Sequence, residues 1–170
     1  MKKITVFTDG SCNLHKNSER GNKGGIGVFF GDNNPYNLAI DFETPIITNQ
    51  RMELLACYEA IKQCIKSQKG LLNKWELNIY TDSMFVINAI TKWAEGWILW
   101  DWKRLENGKP KEIKNLDLIK KLYTISKLYP VKFHHIRSHC KEPRDKDSSE
   151  WQLWYGNREA DKLAKMRKKN

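Results

Sequence analysis

Two apolar runs of this chain end in the same dipeptide. FTDGS (7–11) closes the first at Thr8-Asp9, and IYTDSM (79–84) closes a later one at Thr81-Asp82. Aspartate ends strands and starts turns, so one such ending is unremarkable. Two are a different matter if the runs are neighbouring parallel strands, because both carboxylates then project from one sheet edge. Carboxylates that close repel, and either share a proton or hold a cation. With oxygen ligands only and no Cys/His spacing nearby, Mg²⁺ fits better than zinc, with Mn²⁺ as a substitute. Two further acids join them. Glu53 lies in the first turn of a helix opened by TNQRMEL (48–54), and Asp161 lies early in a helix within GNREADKLA (156–164). Each taken alone reads as an acid complementing a helix dipole. Four acids converging on one edge suit a centre for two metal ions, which activates water and stabilises the leaving oxygen of a phosphoryl displacement.

The elements that must position them follow from periodicity. KITVFT (3–8) reads as a buried strand, followed by a polar, turn-forming loop from Gly10 to Lys23. IGVFFG (26–31) and NLAIDFET (37–44), separated by an Asn-Asn-Pro turn, complete an antiparallel meander. From Thr48 to Gln68 the apolar positions Leu54, Cys57, Tyr58, Ile61, Cys64 and Ile65 recur at helical spacing. Thr48 or Asn49 caps that helix and Gly70 stops it. Trp75 to Thr81 is a fourth strand, parallel to its neighbour through a right-handed crossover. A helix is expected over Ser83 to about Thr91, then a Trp-rich stretch and a polar loop at 105–114. Another helix runs from an Asn115 cap through Leu128, ended by Pro130. VKFHHIRS (131–138) is the fifth strand, and a last helix is expected around Arg158–Lys168. The result is an α/β fold: a five-stranded mixed sheet flanked by helices on both faces.

At 170 residues and a formal net charge of +10, one domain with a polyanionic partner is expected. No apolar run approaches the ~20 residues of a membrane span, and the apolar stretch after Met1 is too short for a secretory signal. Cys12, Cys57, Cys64 and Cys140 contain no CxxC pair, which suits reduced thiols. A cytoplasmic setting is expected, or a nuclear one in a eukaryotic cell, but not secretion.

TDGSC (8–12), TNQRMEL (48–54), YTDS (80–83), ITKWAEGW (90–97), IRSH (136–139) and GNREADKLA (156–164) together resemble type 1 ribonuclease H, in the same order and over nearly the whole chain. The resemblance implies the RNase H-like fold and metal-dependent cleavage of the RNA strand of an RNA–DNA hybrid, leaving 3′-hydroxyl and 5′-phosphate ends. It implies metal ligation by Asp9, Glu53, Asp82 and Asp161. His139 corresponds to a mobile histidine that transfers a proton at the leaving group or helps product release. Cys12, Asn49 and Gln50 fall where the family senses the 2′-hydroxyls, and Thr48 and Asn157 where it holds a DNA phosphate. Trp93 and Trp97 fall beside the protrusion that holds the DNA strand. Where relatives are Lys-rich, this chain has Ile98-Leu99-Trp100-Asp101 before Lys103-Arg104, so a more apolar protrusion is expected. His134 and His135 are read as strand residues facing opposite sides. The segment at about 141–155 is longer than the family's linker. Its Trp151 and Trp154 either pack it onto the domain or add a nucleic-acid contact. The chain is taken as one catalytic domain, 1–170, with a basic tail at about 165–170, as a monomer without a protein partner.

Three rivals are less well matched. A hybrid-binding module that had lost its chemistry would not need all four acids. A resolvase or transposase core lacks the TNQRMEL helix start. A haloacid-dehalogenase-like phosphatase needs a second Asp two residues after the first, where Ser11 stands.

Overall fold

Alternation along adjacent strands sorts the side chains to two faces of one sheet. In the computed structural model, which describes residues 1–13, 22–44, 46–69 and 74–166, the strands are β1 (Lys2–Asn13), β2 (Asn22–Phe29), β3 (Leu38–Thr44), β4 (Trp75–Thr81) and β7 (Val131–His135). Their spatial order is β3-β2-β1-β4-β7. β1 pairs antiparallel with β2 and β2 with β3, whereas β1, β4 and β7 are mutually parallel. This is the expected five-stranded mixed sheet.

Val6, paired with Ile79, faces helix α1 (Asn49–Ser67) and helix α4 (Leu116–Leu128), in a core that includes Leu54, Ile61, Leu77 and Leu122. Phe7, paired with Tyr80, faces the other way, toward α5 (Ser149–Lys165). On that side Phe7, Tyr80 and His134 stack across the three parallel strands, with centroids 5.3 and 4.7 Å apart. Each fully buried aliphatic chain contributes about 1.5–3 kcal/mol of transfer free energy. Helix α5 lies unusually close to β2. A Cβ at Gly25 or Gly27 would collide with the backbone carbonyls of Ala164 and Ala160.

Several boundaries differ from the sequence expectation. β1 does not stop at Asp9 but continues to Asn13, because β2 keeps pairing with it from Phe7↔Phe29 to Asn13↔Lys23. Gly10, Ser11 and Cys12 are therefore strand residues and not a turn; the rest of the expected loop, 14–21, lies outside the described residues, as does the Gly70 helix stop. The stretch read as a polar loop holds a hairpin, β5 (Lys103–Glu106) and β6 (Lys109–Glu112), turning at Asn107-Gly108 with both φ positive. Asn-Gly is the favoured sequence for such a turn. The helix expected at 83–91 continues further, as α2 (Met84–Asn88), a π-helical turn (Ala89–Trp93) and α3 (Ala94–Leu99). β7 ends at His135, where its pairing with Thr81 ends.

The last helix begins nine residues earlier than expected, at Ser149, because Ser148 caps it by accepting from the Trp151 amide at 3.1 Å. Gly156 does not interrupt it. A Cβ there would strike the Phe7 ring, so glycine is the residue that lets the helix cross β1. The second half of the 141–155 insertion is thus helical. Of the basic tail, Lys165 ends α5, and 167–170 lie outside the described residues.

Candidate metal centre

The last parallel pair between β1 and β4 is Thr8↔Thr81. Asp9 is the next residue of β1 and Asp82 the first residue beyond β4, so register alone makes them neighbours at one edge. By alternation Asp9 shares a face with Phe7, the face covered by α5, which carries Asp161. Glu53 arrives from the opposite face on α1. It reaches Asp9 because residue 10 is glycine. A Cβ on Gly10 would run into the Met52 and Glu53 backbone. Gly10 also donates its amide to the Glu53 carboxylate.

Carboxylate oxygens of Asp9, Glu53 and Asp82 lie within 4.8 Å of one another. Hydrogen bonds join Glu53 to Asp9 and Asp9 to Asp161. Burial, then the Asp82 charge, pushes the Asp9 carboxyl up to about 8. Burial, then Asp9 and Asp82, hold Glu53 well above the ordinary range. Asp82 is raised by burial and by Asp161, against the lowering influence of His139 and His135. Asp161 behaves differently. Burial acts to raise it, but hydrogen bonds from Lys165 and Asp9 carry it below the ordinary value. Lys165 Nζ stands 2.9 Å from Asp161 Oδ1, one helical turn on.

Glu53 Oε2 is buried without a hydrogen-bond partner. A buried carboxylate oxygen left unpaired is costly, and a cation there would satisfy it while relieving the repulsion that raises three of the four acids. The donor set, all oxygen, suits a hard divalent ion. Asp9, Glu53, Asp82 and Asp161 fit such a group.

The acids line an open cleft of about 700 Å³ together with Ser11, Cys12, Asn49, Gln50, His139 and Lys165. Cys12, Asn49 and Gln50 are thus brought to the acids' side. Thr48 caps α1, its hydroxyl accepting from the Arg51 amide at 3.2 Å. His139, exposed and at φ 55°, also lines a smaller recess of about 210 Å³ with Asp82, Trp154, Asn157, Arg158 and Asp161. Asn157 belongs to that recess, whereas Thr48 stands at the start of α1. Trp93 and Trp97 share a helix face with centroids 5.8 Å apart; Trp93 is 42% exposed and Trp97 packs on the core. Beyond them Ile98, Leu99 and Trp100 are exposed. The hairpin's basic charge is partly offset, since Glu106 pairs with both Arg104 and Lys111. Exposed apolar side chains thus stand beside a hairpin that still carries Lys103 and Lys109. His134 bonds Asn78 Oδ1 at 2.7 Å while His135 is exposed on the other side.

Three participants lie outside the site residues expected from the sequence. Lys165 falls at the start of the expected basic tail, although its spacing of four from Asp161 is a readable signal. Asn115 occupies the cap position of α4, but at φ 62° its side chain makes no cap bond and donates to Gln50 Oε1 at 3.3 Å instead. Arg51 grips Asp117 through two bonds of 2.9 and 2.8 Å. That hydrogen-bonded pairing lowers the Asp117 carboxyl to about 2. It ties the starts of α1 and α4 together beside Gln50 and Asn115; no sequence spacing signals a pair 66 residues apart.

The family model described as RNase H matches residues 1–169. Human Ribonuclease H1 is 35% identical over 162 residues, 95% of this chain and 49% of the human protein. Ribonuclease H of Chlorobium phaeobacteroides is 33% identical over 172 residues, 99% of this chain and 97% of the bacterial one. The chain thus spans about half the length of the human relative and nearly all of the bacterial one. Among solved structures, LC9-RNase H1, a type 1 RNase H with the type 2 active-site motif, superposes with a TM-score of 0.65 at 25% identity over 96% of this chain and 70% of that one. The PFV RNase H domain shares the fold, with a TM-score of 0.64 at 22% identity over 95% of this chain and 92% of that one. With a family match from the first residue to the last but one, and four acids gathered at the sheet edge, this chain belongs to the ribonuclease H family.

Proposed function

We propose that this chain is an endoribonuclease that hydrolyses the RNA strand of RNA–DNA hybrids with two Mg²⁺ ions, leaving 3′-hydroxyl and 5′-phosphate ends. The observation that carries this reading is the convergence of three carboxylates within 4.8 Å, with Asp161 hydrogen-bonded to one of them. Asp9, Glu53, Asp82 and Asp161 would hold the ions, which when bound supply water activation and charge neutralisation at the leaving oxygen. The net charge of +10 draws the polyanion to the cleft.

The remaining roles belong to the chain's own side chains. Asn49 and Gln50, with Cys12 beside them, meet the 2′-hydroxyls that distinguish RNA from DNA. The Gln50 carbonyl oxygen is oriented by Asn115. Thr48 and Asn157 bind phosphates from separate positions. Trp93 and Trp97 present aromatic surface to the DNA strand. His139 gives a proton to the departing 3′-oxygen. Its exposed position at the junction of the two recesses supports that role.

The test offers labelled RNA–DNA hybrid, double-stranded RNA and duplex DNA with Mg²⁺, with Asp82→Asn as control. Cleavage of the hybrid's RNA alone, lost in Asp82→Asn, is expected. Equal cutting of all three duplexes, or an unaffected variant, overturns the reading.

A further inference from the structure

The acid centre accounts for Asp161 and Lys165 on α5 but not for the residues one and two turns before them. Trp151, Trp154, Tyr155 and Arg158 recur at three and four, so they share one stripe of the helix, and that stripe continues into Asp161 and Lys165. Each ring has a fixed partner. Trp151 stacks on Tyr155 at 4.9 Å and donates to Glu142 Oε1 at 2.9 Å. The Tyr155 hydroxyl donates to Asp32 at 2.6 Å, anchoring the helix to the segment after β2. Trp154 is packed between the Trp151 ring and the Arg158 guanidinium, 6.0 and 5.4 Å from its own ring. In that orientation its Nε1–H donates to the Cys140 carbonyl at 3.0 Å.

Cys140 directly follows His139, whose φ of 55° is a left-handed conformation that costs a non-glycine residue of order 1 kcal/mol and persists only when its surroundings hold it. The Cys140 thiol also turns back to the Ser138 carbonyl at 3.8 Å, closing the bend around the histidine. The loop is exposed from Arg137 to Glu142, and two indole bonds tie it to the helix that carries Asp161: Trp151 at Glu142, and Trp154 at Cys140, the residue next to the histidine. The two residues are seven apart, about 10 Å along one rigid rod.

We propose that Trp154 is a positioning residue: its indole clamps the His139 loop to α5, so that the proton donor and the fourth acid are set by one rigid helix. The inference rests on the proton-transfer role given to His139 above. A tethered imidazole reaches the leaving oxygen more often than one on a free loop, and such orientation is worth appreciable rate.

The experiment removes the donor while keeping a ring to pack on Arg158, as Trp154→Phe. Backbone ¹⁵N relaxation comes first, because it needs no activity. Order parameters at 138–141 should fall from about 0.85 to below about 0.6 while those around Asp161 stay high. Steady-state cleavage of the hybrid follows, in a cycle with His139→Ala. Trp154→Phe should lower kcat about fivefold at unchanged KM in the wild-type background, and have no further effect where His139 is already alanine. Unchanged order parameters, an unchanged kcat, or an equal loss in both backgrounds overturns the clamp. A wild-type chain that cuts no hybrid would instead sink the hydrolytic reading, and the relaxation measurement would still decide whether the loop is held.

Discussion

The four acids reach the sheet edge by two different routes. Asp9 and Asp82 are carried on strands and need only the Thr8↔Thr81 register, which a ladder of backbone hydrogen bonds enforces. Glu53 and Asp161 are carried on helices from opposite faces. Their placement depends on close contacts, of α1 over Gly10 and of α5 over Gly25 and Gly27. Strand-borne ligands are fixed by pairing, helix-borne ones by packing, so the two kinds should fail differently. The electrostatics divide differently: helix-borne Glu53 is raised along with Asp9 and Asp82, and Asp161 alone of the four is lowered. The Asp9 carboxyl is pushed up to about 8, whereas Asp161, with Lys165 beside it, is held below the ordinary range.

The largest effect should come from a strand acid whose charge is removed and whose shape is kept. Asp9→Asn is expected to lower hybrid cleavage by about 10³-fold or more, since it withdraws a ligand from the centre. The same variant should stabilise the metal-free protein. Because Asp9 titrates near 8 when folded and near its ordinary 3.8 when unfolded, the folded state binds more protons between those values. The contribution of Asp9 to wild-type stability is then greatest below about pH 4 and declines as pH rises through 8. Thermal melts in chelator should show a Tm gain of roughly 3–6 °C at pH 8 that vanishes near pH 4. A variant no more stable than wild type at pH 8 would mean that the acids are not strained by one another.

A helix-borne acid should instead be lost by displacement. Gly10→Ala leaves every acid in the chain but pushes the start of α1 off β1. Cleavage should fall about 10²-fold, with a cost of about 1–3 kcal/mol in urea unfolding. Wild-type activity in Gly10→Ala would show that Glu53 does not depend on that approach. The smallest effect is expected at Lys165, whose ammonium competes with any incoming cation for Asp161. Both side chains of that pair are partly exposed, at 57% and 36%, so it is worth at most about 0.7 kcal/mol. Lys165→Met should therefore lower the Mg²⁺ concentration for half-maximal cleavage about threefold. An increased requirement would mean that Lys165 assists binding of the ion.

The same division explains what could be read from the sequence. The strand acids were legible because a period-two apolar run ending in Thr-Asp, repeated across a helical crossover, specifies both face and edge. The acids on helices were legible as residues but not as positions, since nothing local announces that Gly10 must admit α1. The length of β1 was not legible either. Aspartate and glycine are strand terminators by composition, yet β2 supplies partners as far as Asn13. The early start of α5 was not legible, because Gly156 stands inside the helix and only the fold reveals Phe7 beneath that glycine. The hairpin at Asn107-Gly108 carried its turn signal openly, but its strands are exposed throughout and lack apolar alternation.

Helix α5 is fastened to the rest of the fold by contacts that span almost the whole sequence; the Ser11 hydroxyl donates to the Ala164 carbonyl across 153 positions. Such contacts are the slowest to form, because the loop they close is long. During synthesis β1, α1 and β4 can assemble with three of the acids already together, while the fourth waits for the last element in the order. A nascent chain would therefore hold an incomplete centre until α5 docks.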